Sequence, residues 1–360
     1  MKVLLIIYEP ISSEARSQEI IELCTKFGAT TVVTYDQVYS VSNVTFMRTK
    51  LKRNGGRNYL SFYCTARKEI MKKYDLVVLH DNYTSPLIPY IKRKSPNSKI
   101  VFDSSELYID FKPKKIKERL ANYFQKSENK NLRRCDAVIA ANFQRASIMK
   151  EFHRLDRIPI VFDNVHKIEE NYNKEEVNQK YGSLFRNSLK TITYAGGLSH
   201  RRRTFELIES VKELDGFQLL VLGGTTENEL KLFNEYKKNI HNIHYLGFID
   251  RSELKYILEN SYISVSIFPM DTLNNINCAS GKLYESLFLG IPVLLSTNPP
   301  FLDLVEKFSV GVSTNNFKDG ILTIEANYED YQQKVKKYTK TIDFSNRIND
   351  LYEKLVDILF

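Results

Sequence analysis

Short, continuous apolar runs recur along this chain, each separated from the next by a segment with helical spacing. Val3 to Tyr8 is such a run, as expected of a central parallel strand covered on both faces. Residues 14–27 follow with Ala15, Ile20, Leu23 and Phe27 at helical intervals, and Gly28 stands where a C′ glycine belongs. Ala29 to Thr34 reads as a second strand. Residues 40–60 are polar, basic and irregular, and read as a long loop leading into a helix at about 60–73. Strands are expected at Leu76 to His80 and Lys99 to Asp103, then a long basic helix over 114–134. A strand at Ala137 to Ala141, a short helix over 143–152 and a strand at Ile158 to Phe162 complete the first half.

The polar stretch 166–188, with Asn171, Asn173, Asn178 and Asn187, is the best boundary. The alternation then restarts, with strands expected at 190–195, 217–222, 242–246, 262–267, 292–296 and 309–313. Helices are expected at 203–214, 226–238, 251–260, 281–289 and 301–307, with two terminal helices at 326–341 and 345–359. Parallel sheets need right-handed crossover helices, so this order implies two doubly wound, Rossmann-like α/β domains in tandem. The expected division is 1–165, 166–342 and a C-terminal helix, 343–360, that crosses back to the first domain. Ligands bind beyond the carboxyl ends of such strands, which predicts a site in a cleft between the halves.

No window of about 18 apolar residues occurs, so no transmembrane helix is expected. The apolar N-terminal run is too short for a signal peptide. Cys24, Cys64, Cys135 and Cys278 are far apart in sequence, form no CxxC motif, and read as reduced thiols of a cytoplasm. The net charge of +9 is uneven: residues 1–165 carry 29 Lys+Arg against 17 Asp+Glu, and the rest 23 against 26. A basic half beside a near-neutral half points to an anionic partner for the first; the plainer reading is a soluble basic surface.

Three strand ends in the second half carry chemistry. In Asn277-Cys278-Ala279-Ser280-Gly281-Lys282-Leu283-Tyr284-Glu285, Ser280 and Gly281 open a helix that Gly290 closes. Its N-terminal N–H groups and dipole suit a phosphate, Lys282 adds a cation, and Glu285 one turn inward suits two vicinal ribose hydroxyls. That combination fits a nucleoside diphosphate; it also fits a helix with a Ser N-cap and a well-placed Glu. In Tyr194-Ala195-Gly196-Gly197-Leu198-Ser199-His200-Arg201-Arg202-Arg203, a strand runs into two glycines and three arginines, whose guanidinium groups grip phosphate bidentately. A turn followed by a solvated charge run is the bland alternative. Leu222-Gly223-Gly224-Thr225 repeats the strand-to-glycine pattern.

These segments, with Tyr245-Leu246-Gly247-Phe248 and Gly290-Ile291-Pro292-Val293, resemble the nucleotide-binding domain of the retaining GT-B glycosyltransferases, close to glycosyltransferase family 4. Val101 to Leu107 and Cys135 to Ala140 extend the likeness, more loosely, into the first half. The resemblance implies two domains of the GT-B fold facing across a cleft. It implies a donor site of Gly196, Gly197, Arg201, Arg202, Arg203, Gly223, Gly224, Phe248, Asn277, Ser280, Gly281, Lys282, Leu283 and Glu285. In it Glu285 is the ribose clamp, Phe248 brackets the base, and the backbone at Gly281 and Lys282 faces the donor phosphate or sugar. Two positions depart from the family. The first glutamate of its E-x7-E pair falls at Asn277, and its first-domain histidine falls at Ser105, between Asp103 and Glu106. Ser105, Glu106 and Asn277 are therefore the candidate catalytic residues, with His80 a substitute that is also explained as a structural histidine.

The activity implied is transfer of a sugar from a nucleotide diphosphate sugar to a glycan or lipid-linked acceptor, retaining by resemblance. The chain lacks any Asp-x-Asp pair, and neutralisation by Arg and Lys makes a metal or other cofactor unnecessary. Lys50, Lys52, Arg53 and Arg57, with Lys114, Lys115 and Lys117 in a segment rich in aromatics, suit an anionic membrane surface. This predicts peripheral association with the inner face of the cell membrane, and a role in surface polysaccharide or glycolipid synthesis. The expectations extend to a homo-oligomer or a glycosyltransferase partner, and to no nucleic acid, for want of a reading motif. The rival readings are a catalytically silent GT-B partner subunit and a GT-B nucleotide-sugar epimerase.

Overall fold

A computed structural model describes residues 1–11, 14–36, 40–49, 56–109, 119–168, 171–186, 188–238 and 240–360. The chain divides into two compact units, Met1–Asn164 with Asp343–Phe360, and Val165–Ile342.

The first unit runs β1 (Lys2–Ile7), α1 (Ala15–Phe27), β2 (Ala29–Thr34), β3 (Val44–Arg48), α2 (Gly56–Ile70), β4 (Leu76–His80), α3 (Ile88–Lys94), β5 (Lys99–Ser104), α4 (Arg119–Asn131), β6 (Ala137–Ala140), α5 (Phe143–His153) and β7 (Ile160–Val161). Its seven strands are parallel in the order β3-β2-β1-β4-β5-β6-β7. β1 and β4, paired Val3 to Leu76, are the buried centre, where the winding direction reverses.

The second unit runs α6 (Lys174–Tyr181), β8 (Lys190–Tyr194), α7 (Thr204–Lys212), β9 (Phe217–Leu222), α8 (Glu227–Lys237), β10 (Ile243–Gly247), α9 (Arg251–Glu259), β11 (Ile263–Ser266), α10 (Leu273–Ile276), α11 (Gly281–Phe288), β12 (Val293–Leu295), α12 (Pro299–Phe308), β13 (Gly311–Ser313), α13 (Phe317–Ala326) and α14 (Tyr328–Lys340). Its six parallel strands lie in the order β10-β9-β8-β11-β12-β13, so β8 and β11 flank the switch point. β9 shows why its sequence is apolar throughout: Leu219 and Val221 enter a core with α7 and α13, while Leu220 and Leu222 enter the opposite core with α9. The last helix, α15 (Arg347–Leu359), packs in the first unit, burying Leu351, Leu355 and Leu359 against the core of α1 and β1.

Several expectations are corrected. Residues 40–60 are not one long loop: Val44–Arg48 is the edge strand β3, and α2 begins at Gly56 rather than near 60. The basic helix expected over 114–134 is described from Arg119 to Asn131, followed by a 3₁₀ turn; 114–118 lie outside the described residues. The polar boundary region contains α6, capped by Asn173. A helix over 317–326, α13, precedes the first terminal helix. Gly28 is not a left-handed C′ residue. Its backbone is in a mirror-extended conformation, and a Cβ there would lie 2.3 Å from Met1 O.

Candidate functional site

The turns after β8, β9 and β10 are stitched together by their own backbones. Gly197 N–H donates to Leu222 O (2.7 Å), Leu198 N–H to Gly224 O (3.0 Å), and Gly223 N–H to Gly247 O (2.7 Å). This contact requires glycine. Gly197 has φ +87°, and a Cβ on it would sit 2.5 Å from Gly224 O; Gly223 has φ +109° and faces Gly197 N. The two glycine pairs thus bring the carboxyl ends of three strands into one rim. At its edge the Phe248 ring is 86% exposed and lies beside Gly224. An exposed aromatic ring is suited to stacking a planar ring.

Across the switch point, α11 is pinned to β11 by two serine pairs, Ser280 Oγ with Ser266 Oγ (3.2 Å) and Ser286 Oγ donating to Ser264 Oγ (2.7 Å). Ser280 is the N-cap and accepts from Leu283 N–H (3.4 Å). The Leu283 amide is therefore used within the helix and its side chain is buried, which removes Leu283 from the groups facing a ligand. Lys282 reaches back across the switch point and donates from Nζ to Ala195 O (2.9 Å). A cation, a helix N-terminus and the glycine turn after β8 are thereby brought together within the second unit.

The three arginines diverge. Arg203, at φ +56° before α7, is held by Glu206 Oε2 (2.6 and 2.9 Å) and Asn315 Oδ1 (2.6 Å) and lies over Phe317. Arg201 pairs with Asp271 at 2.6 Å on an exposed surface. Among the described residues, only Arg202 of the three has no carboxylate partner; it packs over Phe268 and beside the buried Tyr194. Burial pushes the Tyr194 phenol up, and the Arg202 charge acts against that shift.

Glu285 is 2% exposed, and its Oε1 is 2.9 Å from Arg251 Nη1 at the start of α9. Asn277 is buried and donates from Nδ2 to Leu273 O (2.9 Å), so its amide closes the short helix α10.

In the first unit, Ser105 and Glu106 come together at the end of β5. Ser105 Oγ donates to Asp81 Oδ2 (2.8 Å), and Arg145 donates to both Ser105 O (2.5 Å) and Glu106 Oε2 (3.2 Å). Beneath them, the fully buried Asp103 accepts from Arg16 Nε (3.1 Å) and Nη2 (2.5 Å) and is 2.7 Å from His80 Nδ1. Burial raises the Asp103 carboxyl, but Arg16 and His80 outweigh it and hold the group well below the usual range. Burial favours neutral His80, yet its bond to Asp103 and the Asp103 charge raise it above the ordinary histidine value. Burial also raises Asp81, which the structure holds at φ +60°. His80 is thus a buried partner of Asp103 rather than an open group at the strand end. Of the basic residues expected to meet a membrane, Arg57 is exposed on α2, and Lys50, Lys52, Arg53, Lys114, Lys115 and Lys117 lie outside the described residues.

Three residues escaped sequence reasoning. Asp81 follows a buried strand directly and carried no motif. Arg16 sits in α1, 87 positions from its partner. Arg251 did leave a signal: a cation in the first turn of a helix opposes the dipole and calls for a nearby anion.

Residues 175–350 match the family model described as Glycosyl transferases group 1. The chain is a glycosyltransferase of GT-B fold. Its fold is shared over 99% of both chains by sucrose-phosphate synthase from Thermosynechococcus elongatus (TM-score 0.72, 14% identity). HepE from Anabaena, solved in complex with UDP-glucose, matches over 99% of both chains (TM-score 0.70, 12% identity). WaaG, a glycosyltransferase involved in lipopolysaccharide biosynthesis, matches over 98% of both (TM-score 0.71, 12% identity). No curated protein sequence matches the chain. The glycosyltransferase has no described helix long and apolar enough to cross a membrane, and no described group of three His, Cys, Asp or Glu that could hold a metal.

Proposed function

We propose that this glycosyltransferase takes its sugar from a nucleoside diphosphate donor held in the second unit. It passes the sugar to a glycan or lipid-linked acceptor with retention of configuration. The observation that carries the reading is the Lys282 bridge to Ala195 O, which sets an ammonium, the α11 N-terminus and the glycine turn around one spot at the switch point. The solved complexes of HepE with UDP and UDP-glucose support a uridine nucleotide as the first donor class to test.

In this reading Phe248 stacks the base and Glu285 accepts from the ribose hydroxyls. Lys282, Arg202 and the N–H groups of Gly281 and Lys282 face the diphosphate. Negative charge grows on that diphosphate as the sugar–oxygen bond breaks, and fixed cations already aimed there lower the barrier without reorganisation. With no Asp-x-Asp pair in the chain, the same cations take the charge-neutralising part in a metal-independent transfer. Ser105 and Glu106, at the end of β5, offer polar groups for acceptor hydroxyls, with the buried Asp81 after β4 holding the Ser105 hydroxyl.

We further propose that the first unit docks on the anionic inner face of the cell membrane, in the service of polysaccharide or glycolipid assembly. Exposed Leu60 on α2, and Leu120 and Tyr123 on α4, add apolar anchors to a half that carries most of the positive charge. The involvement of WaaG in lipopolysaccharide biosynthesis supports such a pathway. A second reading, a silent partner subunit, draws on Asn277 and Ser105 being engaged within their own units.

The test is turnover of UDP-glucose and related nucleotide sugars by the wild type, Lys282→Ala and Glu285→Gln. Loss of a donor to the developing charge should lower turnover by about 10²–10³ for Lys282→Ala. Near wild-type rates in both variants would defeat the reading. Tight UDP binding with no turnover of any donor would favour the silent subunit.

A further inference from the structure

Glu285 is almost wholly buried, and a carboxylate taken out of water is costly unless an opposite charge meets it. The charge that meets it comes from a different element: Arg251 Nη1, in the first turn of α9, is 2.9 Å from Oε1. Arg251 is itself partly exposed at 38%, four residues beyond Gly247 and three beyond the outward-facing Phe248. Its first-turn position is unfavourable with respect to its own helix dipole, so the helix gains nothing electrostatically from a cation there. The local acidic needs of α9 are met by Asp250 and Glu253, which form its capping box. The Arg251 charge is thus met across elements, by Glu285 on α11.

We propose that Arg251 is the positioning residue that fixes the Glu285 carboxylate for ribose recognition, and thereby sets the preference of the donor site for ribonucleotides over 2′-deoxyribonucleotides. The inference rests on the reading that Glu285 holds the ribose. A guanidinium held at one carboxylate oxygen restrains the group and supplies the opposite charge that a buried carboxylate needs. Both properties are needed for a carboxylate that must accept from a pair of vicinal hydroxyls. The pair also ties the Gly247-Phe248 segment, through α9, to α11. The group that stacks the base and the group that holds the sugar are thus linked by one ion pair.

The experiment measures dissociation constants of UDP, 2′-deoxyuridine 5′-diphosphate and inorganic pyrophosphate for the full-length wild type, Arg251→Gln, Arg251→Lys, Glu285→Gln and the Arg251→Gln/Glu285→Gln double variant. The wild type should prefer UDP over its deoxy analogue by about ten- to a hundredfold, the worth of a hydrogen bond to a charged group. Arg251→Gln should lose most of that preference while its pyrophosphate affinity stays within about twofold of the wild type, a split that general damage to the unit would not produce. Arg251→Lys should restore part of the preference, and the double variant should be no worse than Glu285→Gln alone. If Arg251→Gln does not fold, the comparison of Arg251→Lys with wild type carries the test, with an intermediate preference expected. Full retention of the ribose preference in Arg251→Gln, with its loss in Glu285→Gln, would overturn the role of Arg251 and leave the ribose reading standing. Retention in Glu285→Gln would overturn the ribose reading itself.

Discussion

Arg16, Asp103 and His80 form a buried chain of charges at the floor of the first unit's strand ends, tied further by Arg16 Nη1 to Phe162 O (2.7 Å) and Asn164 Oδ1 (2.7 Å). Removing one member of such a set leaves an uncompensated charge out of water, so Arg16→Met should cost about 3–5 kcal/mol in urea unfolding. The pH dependence has two limbs. Asp103, depressed in the folded state, contributes stability that is present above the ordinary aspartate value of about 3.9 and is lost as the pH falls below it. His80, raised in the folded state, contributes stability that is present below about 6.5 and is lost as the pH rises through its higher folded value. The stability difference between wild type and His80→Asn should therefore be largest near pH 6 and shrink on the alkaline side. A difference constant with pH would contradict the assignment. None of this was legible from residue types. His80 and Asp103 stood out in the sequence as strand-end residues, but the guanidinium that pairs with Asp103 comes from a helix 87 positions away. Arg251 and Glu285 pose the same problem, since pairing between elements is set by packing. Asn277 shows the converse: its motif position was visible, and its use as the closing group of α10 was not.

At the scale of elements, the strand-to-glycine turns do most to shape the site. Gly197→Ala would force a side chain into a left-handed backbone and to within 2.5 Å of Gly224 O. The strain alone is worth about 1–2 kcal/mol, and the clash pushes the turns of β8 and β9 apart. Differential scanning calorimetry should show the melting of the second unit shifted down, with UDP affinity reduced in step; an unchanged affinity would separate the turn from the site. These turns were readable because a buried parallel strand followed by glycine is a strong local pattern. β3 was not readable: Val44–Arg48 is a half-exposed edge strand without a continuous apolar run. α13 was obscured by Gly320 in its interior, where a Cβ would lie 2.5 Å from Leu294 Cδ1. That glycine reads as a helix breaker locally, and close packing of α13 on β12 explains it.

For the whole molecule, two doubly wound sheets follow from the alternation of apolar runs and helical segments, because each parallel connection requires a helix of its own. The return of α15 to the first unit rests on Leu351, Leu355 and Leu359, with Tyr352 packed against Phe27. The first half also carries the excess positive charge, 29 Lys+Arg against 17 Asp+Glu over residues 1–165. Sedimentation with phosphatidylglycerol vesicles at low salt should carry the glycosyltransferase down and moderate salt should release it, each basic residue near the surface being worth about 1 kcal/mol. Equal behaviour with neutral phosphatidylcholine would contradict membrane docking. In the proposed donor site, the second unit grips a diphosphate with fixed cations and its ribose with one carboxylate. A crystal structure with UDP bound distinguishes this arrangement from any other. The diphosphate should lie within hydrogen-bonding reach of Lys282 Nζ and the Arg202 guanidinium, with the ribose hydroxyls on Glu285. UDP bound elsewhere, or a ribose turned away from Glu285, would contradict it.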